Sequence, residues 1–116
     1  MFNDGPLTID RREGKSPDTF IYSLSGPLLL RNMFEFQAEL RASAPVRLTI
    51  FDITAVPYMD SAGLGLVINH YTQCQKKGGK LLVVGANSRV MDLFKLTRVH
   101  AVLPLAATLD EAEPDA

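Results

Sequence analysis

The hydrophobic period of this chain switches back and forth between that of a strand and that of a helix, and this alternation restricts its fold more than any other feature. Val46 to Ile53 (Val-Arg-Leu-Thr-Ile-Phe-Asp-Ile) is rich in β-branched and aromatic residues, which predicts a central strand. After a loop from Thr54 to Met59 the period becomes helical: Leu64, Val67, Ile68, Tyr71 and Cys74 share one stripe from Ser61 onward, and Gly78-Gly79 closes the helix behind two lysines that suit its dipole. Lys80 to Gly85 then predicts a short buried strand. Asn87-Ser88 is placed to cap a third helix with Val90, Met91, Leu93 and Phe94 turned inward. A strand, a helix and a second strand in succession require a crossover, and the crossover makes the two strands parallel.

The flanks extend the pattern. Leu7 to Glu13 and Thr19 to Leu24 read as a hairpin around the turn formers Gly14-Lys15-Ser16-Pro17-Asp18. After the break Ser25-Gly26-Pro27, a first helix is predicted from Leu28 to Ser43 on the spacing of Leu30, Met33, Phe34, Gln37 and Leu40, with Ala44-Pro45 ending it. A last short strand is expected within Val99 to Leu105. Thr108-Leu109-Asp110-Glu111 forms a capping box for a terminal helical turn, and the tail from Glu113 to Ala116 is expected to fray. The resulting expectation is one α/β domain over residues 1–116 with its core at about 7–113: a mixed, mostly parallel sheet of about five strands with about four helices packed on it.

Composition narrows the function classes. With 12 Lys+Arg against 13 Asp+Glu the formal net charge is -1, so the cationic excess of a phosphate-backbone binder is missing and no nucleic-acid partner is expected. Hydrophobic residues make up 47% of the chain, enough for a core, yet no apolar run approaches the roughly 20 residues of a membrane span. Met1-Phe2-Asn3-Asp4-Gly5-Pro6 lacks the basic start and apolar run of a signal peptide. One cysteine, Cys74, excludes an intrachain disulfide and fits a reducing compartment. A cytoplasmic protein is expected.

The motifs that would announce catalysis are incomplete. His70 and His100 have no His or Cys partner at ligand spacing, so neither a metal nor a cofactor is expected. Gly78-Gly79-Lys80 lacks the earlier glycine and the following Ser or Thr of a phosphate loop, since Cys74 and Leu81 stand there. Gly63-Leu64-Gly65 lacks the third glycine of a dinucleotide fingerprint. Asp60-Ser61-Ala62-Gly63 invites comparison with the nucleophile elbow of hydrolases, but Met59 occupies the place of a required glycine. What remains is a hydroxyl beside a carboxylate at a helix start. Asp60 or Ser61 can serve as an N-cap, worth about 1 kcal/mol. Gly63 and Gly65 each cost up to about 1 kcal/mol in a helix relative to alanine, which points to close approach by another surface, within the fold or on a partner.

At these residues the sequence resembles a known family. Phe51 to Gly65, Gly78-Gly79-Lys80-Leu81 and the segment Ser88 to Thr97 look like a STAS domain of the bacterial anti-sigma factor antagonist type, and the resemblance covers nearly the whole chain. It implies that Ser61 is phosphorylated by a partner that is both an anti-sigma factor and an ATP-dependent serine kinase. It also implies that the unphosphorylated protein binds that partner and frees the sigma factor, and that the chain is not itself an enzyme. Asp60, Ser61, Ala62, Gly63 and Leu64, with Tyr58, Met59 and Ser88, form the expected partner-binding set. The physics of Ser61 agrees: a phosphoserine adds about -1.5 to -2 charges at one point, beside Asp60 and at a helix start whose amides tolerate an anion. Many antagonists carry an acidic Gly-Glu-Leu-Asp-like loop after the second strand. Here it reads Gly26-Pro27-Leu28-Leu29-Leu30. Those leucines fit either a helix start packed on the core or an exposed patch for an apolar partner or self-association. A non-switching scaffold, such as a stressosome-like assembly or a lipid-transport ATPase subunit, is the alternative function.

Overall fold

A computed structural model describes residues 6–113. Among these, five strands form one sheet in the order β1-β2-β3-β4-β5. They are β1 (Thr8–Glu13), β2 (Thr19–Ser25), β3 (Leu48–Ala55), β4 (Lys80–Val84) and β5 (Leu105–Ala106). The helices are α1 (Met33–Ala42), α2 (Ser61–Lys76), α3 (Ser88–Leu96) and the single turn α4 (Leu109–Ala112). β1 and β2 form the expected antiparallel hairpin. Every later neighbour pairs in parallel, as the crossovers require. The architecture is the α/β arrangement that the alternating periods imply.

The inner strands bury both faces, which explains why β3 reads as a nearly continuous apolar run, while the edge strand β1 is largely exposed. On one face Tyr22, Phe51 and Phe36 of α1 form an aromatic cluster with ring centroids 5.1–5.9 Å apart, joined by Leu64 and Val67 of α2 and by Val90 and Phe94 of α3. The opposite face is smaller. Ile21, Ile50 and Val84 are buried there, with Leu48, Leu82, Leu109 and Ala112 packed against them, so α4 lies over the second face of the sheet.

Four expectations are corrected. The first helix does not start at Leu28: that residue bridges to Met59, its N–H donates to Tyr58 O (3.1 Å), and its carbonyl accepts from Asp60 N (3.2 Å). Sheet-like pairing therefore wins over helix propensity, a 3-10 turn spans Leu30–Asn32, and α1 begins at Met33. Because the helix starts later, its inward face is set by Phe36, fully buried, with Met33 and Leu40 packed nearby, while Leu30 and Phe34 point outward. The last strand is only Leu105–Ala106, and Val99–Ala101 is a 3-10 turn. Glu113 does not fray: it is 5% exposed and accepts the amides of Lys15 and Ser16, each at 3.0 Å. Burial alone pushes the Glu113 pKa up, but those two amides, the Ser16 hydroxyl and the Lys15 charge outweigh it and hold the carboxyl below its usual 4.5. Residues 1–5 and 114–116, expected to fray, lie outside the described residues.

The remaining helix ends follow the local chemistry. Asn87 caps α3 by accepting Val90 N at 2.8 Å, and Thr108 caps α4 by accepting Glu111 N at 3.2 Å. Past α2, Gly78 adopts φ +80°, the left-handed conformation that closes a helix at little cost only for glycine.

Candidate functional site

The junction between β3 and α2 is built around one carboxylate. Asp60 is the N-cap: its Oδ1 accepts Gly63 N at 2.9 Å, the bond expected of a capping side chain. Its Oδ2 accepts Leu30 N at 3.1 Å. Together with the backbone bonds of Leu28 to Tyr58 and Asp60, this clamps the turn before α1 onto the start of α2. Ser61 is the first residue of α2 and its side chain is exposed. The cap question that the sequence left open is therefore answered by Asp60, and Ser61 is an exposed residue that the cap does not use.

Gly63 is explained within the chain. A Cβ there would collide with the Leu28 carbonyl oxygen and crowd its side chain, so glycine is what lets the clamp close. Gly65 is different, because a Cβ on it would meet nothing within 4 Å and the residue is exposed. Among the described residues no contact at this position accounts for its helix-propensity cost.

The expected partner-binding residues divide by burial. Ser61 and Ser88 are exposed, and Tyr58, Asp60 and Ala62 are half-buried. Met59, Gly63 and Leu64 are buried, so these three lie beneath the surface that the others present. Of the leucine triplet, Leu28 is fully buried and Leu29 partly so, whereas Leu30 is 57% exposed. Leu28 therefore belongs to the core, and self-association through all three leucines is excluded.

The structure adds residues that spacing did not single out. Asn87 Nδ2 donates to the carbonyls of Val56 (3.3 Å) and Pro57 (3.1 Å), and the Arg89 guanidinium lies 4.9 Å from the centroid of the Tyr58 ring. These contacts draw the start of α3, with Ser88, against the loop that leads to Ser61. An Asn before a helix was legible as a cap, but its second role as a loop tie depends on contacts 30 and 31 residues away.

Neither His70 nor Cys74 stands beside Ser61. His70 lies on the same helix, nine residues on, which is roughly 13 Å at the α-helical rise. Burial, then the charge of Lys77, holds His70 below its usual 6.5, and the ring stacks on Phe51. Burial pushes the Cys74 thiol up against the opposing effects of a Thr49 hydrogen bond and Lys77, which disfavours the reactive thiolate. Both line a small recess of about 50 Å³ at the far end of α2, room for a water or two. Among the described residues no three His, Cys, Asp or Glu side chains are grouped to hold a metal, and no helix is long and apolar enough to cross a membrane.

Comparison with known proteins completes the picture. Residues 13–112 match the model of the STAS domain. The chain belongs to the STAS domain family. Within that family its relatives include the anti-sigma-B factor antagonist of Bacillus subtilis, 30% identical over 83 residues that cover 72% of this chain and 71% of the relative. The fold superposes on an anti-sigma factor antagonist from Mycobacterium paratuberculosis with a TM-score of 0.83 at 22% identity, covering 96% of this chain and 93% of the other. It also superposes on the Bacillus cell fate determinant SpoIIAA in its phosphorylated form, with a TM-score of 0.70 at 16% identity over 91% and 97% of the two chains. This STAS domain is thus of the anti-sigma factor antagonist family, whose members are non-enzymatic regulators.

Proposed function

We propose that this STAS domain is a cytoplasmic anti-sigma factor antagonist that binds an anti-sigma factor with serine-kinase activity and is switched off by phosphorylation of Ser61. The observation that carries the reading is the exposed Ser61 hydroxyl at the first position of α2, beside an Asp60 carboxylate already satisfied by two amides. The hydroxyl is accessible to a kinase, and the cap does not depend on it. Kinship with an antagonist of 30% identity and a shared fold with a relative described in a phosphorylated form support the same reading.

The mechanism is electrostatic. Unmodified Ser61 presents a small neutral hydroxyl on a surface where Gly65, one turn further, leaves the helix open to close approach. A phosphate adds about -1.5 to -2 charges. The α2 N-terminus tolerates that anion because its dipole and first-turn amides favour it, so the fold stands. A docked partner surface does not share that tolerance: the new charge adds to Asp60 and must be desolvated, and each 1.4 kcal/mol lost weakens binding about tenfold. Release of the partner follows without unfolding of the antagonist.

Incubation with the cognate kinase and ATP, followed by intact-mass measurement, tests this directly. Wild type should gain one phosphate and Ser61→Ala none, and Ser61→Ala should bind the kinase without being released. An unmodified wild type, or phosphate retained by Ser61→Ala, would sink the reading.

A further inference from the structure

Two large apolar side chains stand more than half exposed next to the proposed switch. Leu30 is 57% and Phe34 63% exposed, and they line one open groove with Leu29, Arg31 and Asp60. Their position is not free to vary relative to Ser61, because the Leu30 amide is hydrogen bonded to the carboxylate of Asp60, the residue immediately before Ser61. We infer that Leu30 and Phe34 are apolar anchors that select the anti-sigma factor, by entering an apolar recess on the same face of that partner that reaches Ser61. The inference rests on the function proposed above and names what determines the choice of partner.

The alternative occupant, a second copy of this chain, fits less well. Two side chains at this exposure remove on the order of 200–300 Å² from water per copy, against the roughly 800 Å² per partner of a stable interface. A two-fold pairing of the groove with itself would also bring the two Asp60 carboxylates towards each other, an unfavourable contact that grows when Ser61 carries phosphate. A heterologous partner avoids both problems, since it can surround the two anchors with further contacts along Ser61, Gly65 and Tyr58. The chemistry also sets specificity: any partner surface that is charged where it meets Leu30 and Phe34 would have to desolvate those charges with nothing to pair them. Phosphorylation then acts at closer quarters, because a dianion at Ser61 lies at the edge of an apolar contact that excludes water.

The test uses the full chain, with the anti-sigma factor kinases of the same organism purified and titrated individually by calorimetry. Wild type should bind one of them. Leu30→Ser/Phe34→Ser should weaken that complex by about ten- to a hundred-fold and raise KM for phosphorylation of Ser61 with kcat little changed, while its melting temperature stays at the wild-type value. Leu30→Met/Phe34→Leu should retain binding. Equal affinity of wild type and the serine variant overturns the inference while leaving the proposed function standing, and so does a serine variant that only dissociates a wild-type dimer. Wild type that neither binds nor is phosphorylated by any of the kinases overturns both.

Discussion

The starts of α2 and α3 look alike and do different work. In each, a cap residue accepts the amide of the third helical residue, Asp60 from Gly63 and Asn87 from Val90, and in each an exposed serine follows at the first helical position. The difference lies in the second half of each cap. Asn87 can donate, and its amide holds the carbonyls of Val56 and Pro57. Asp60 can only accept while ionised, and its free oxygen takes the Leu30 amide. One cap therefore braces a loop from the side, while the other ties an exposed apolar turn to the residue before Ser61. A serine at a helix start is common, and what separates Ser61 from Ser88 is the surface fastened to it.

The largest expected effect breaks the comparison if it fails. In the kinase reaction Ser61→Ala should lose all phosphate while Ser88→Ala gains one as wild type does, and phosphate mapped to Ser88 by peptide fragmentation would mean that the two starts were assigned the wrong way round. Next in size is Gly63→Ala: its methyl would meet the Leu28 carbonyl, so urea unfolding should show a loss of about 2–3 kcal/mol. The α3 start has valine at the equivalent position, where no such approach exists. Smallest, Asp60→Ala and Asn87→Ala should each cost about 1–2 kcal/mol, but they should separate in hydrogen exchange. The Leu30 amide should exchange faster only in Asp60→Ala.

Much of this was legible in the chain, where the signals are local. The α2 and α3 stripes, the Asn87 and Thr108 caps and the Gly78 stop are set by neighbours within a turn or two, and they stand where the spacing puts them. The errors share a cause in distant contacts. Three adjacent leucines fit a helix start until Leu28 finds Tyr58, Met59 and Asp60 about thirty residues on. That pairing delays α1, and with it Phe36 rather than Phe34 becomes the buried ring. Of the site, the Asp60-Ser61 pair could be read from its place between a strand and a helix. Its link to Leu30 could not, because a carboxylate oxygen beyond the capping one carries no sequence signature.

The carboxylate of Glu113 gives the fold an acid-sensitive seam. It joins the end of the described chain to the β1–β2 turn 97 and 98 residues earlier, and the element it secures, α4, covers the face on which Ile50 is wholly buried. Because the folded carboxyl titrates below its usual 4.5, its contribution is fully present above that value and is lost as pH falls through the folded value. Acidification below the usual carboxyl value of 4.5 should therefore lift α4 and uncover an apolar strip of sheet before the three-helix side gives way, seen as dye binding that rises ahead of the loss of helical circular dichroism. Glu113→Gln should show that uncovering at neutral pH. Under the proposed switch, a protein that gains negative charge at Ser61 would depend on a negative charge kept at Glu113 to hold that apolar strip covered.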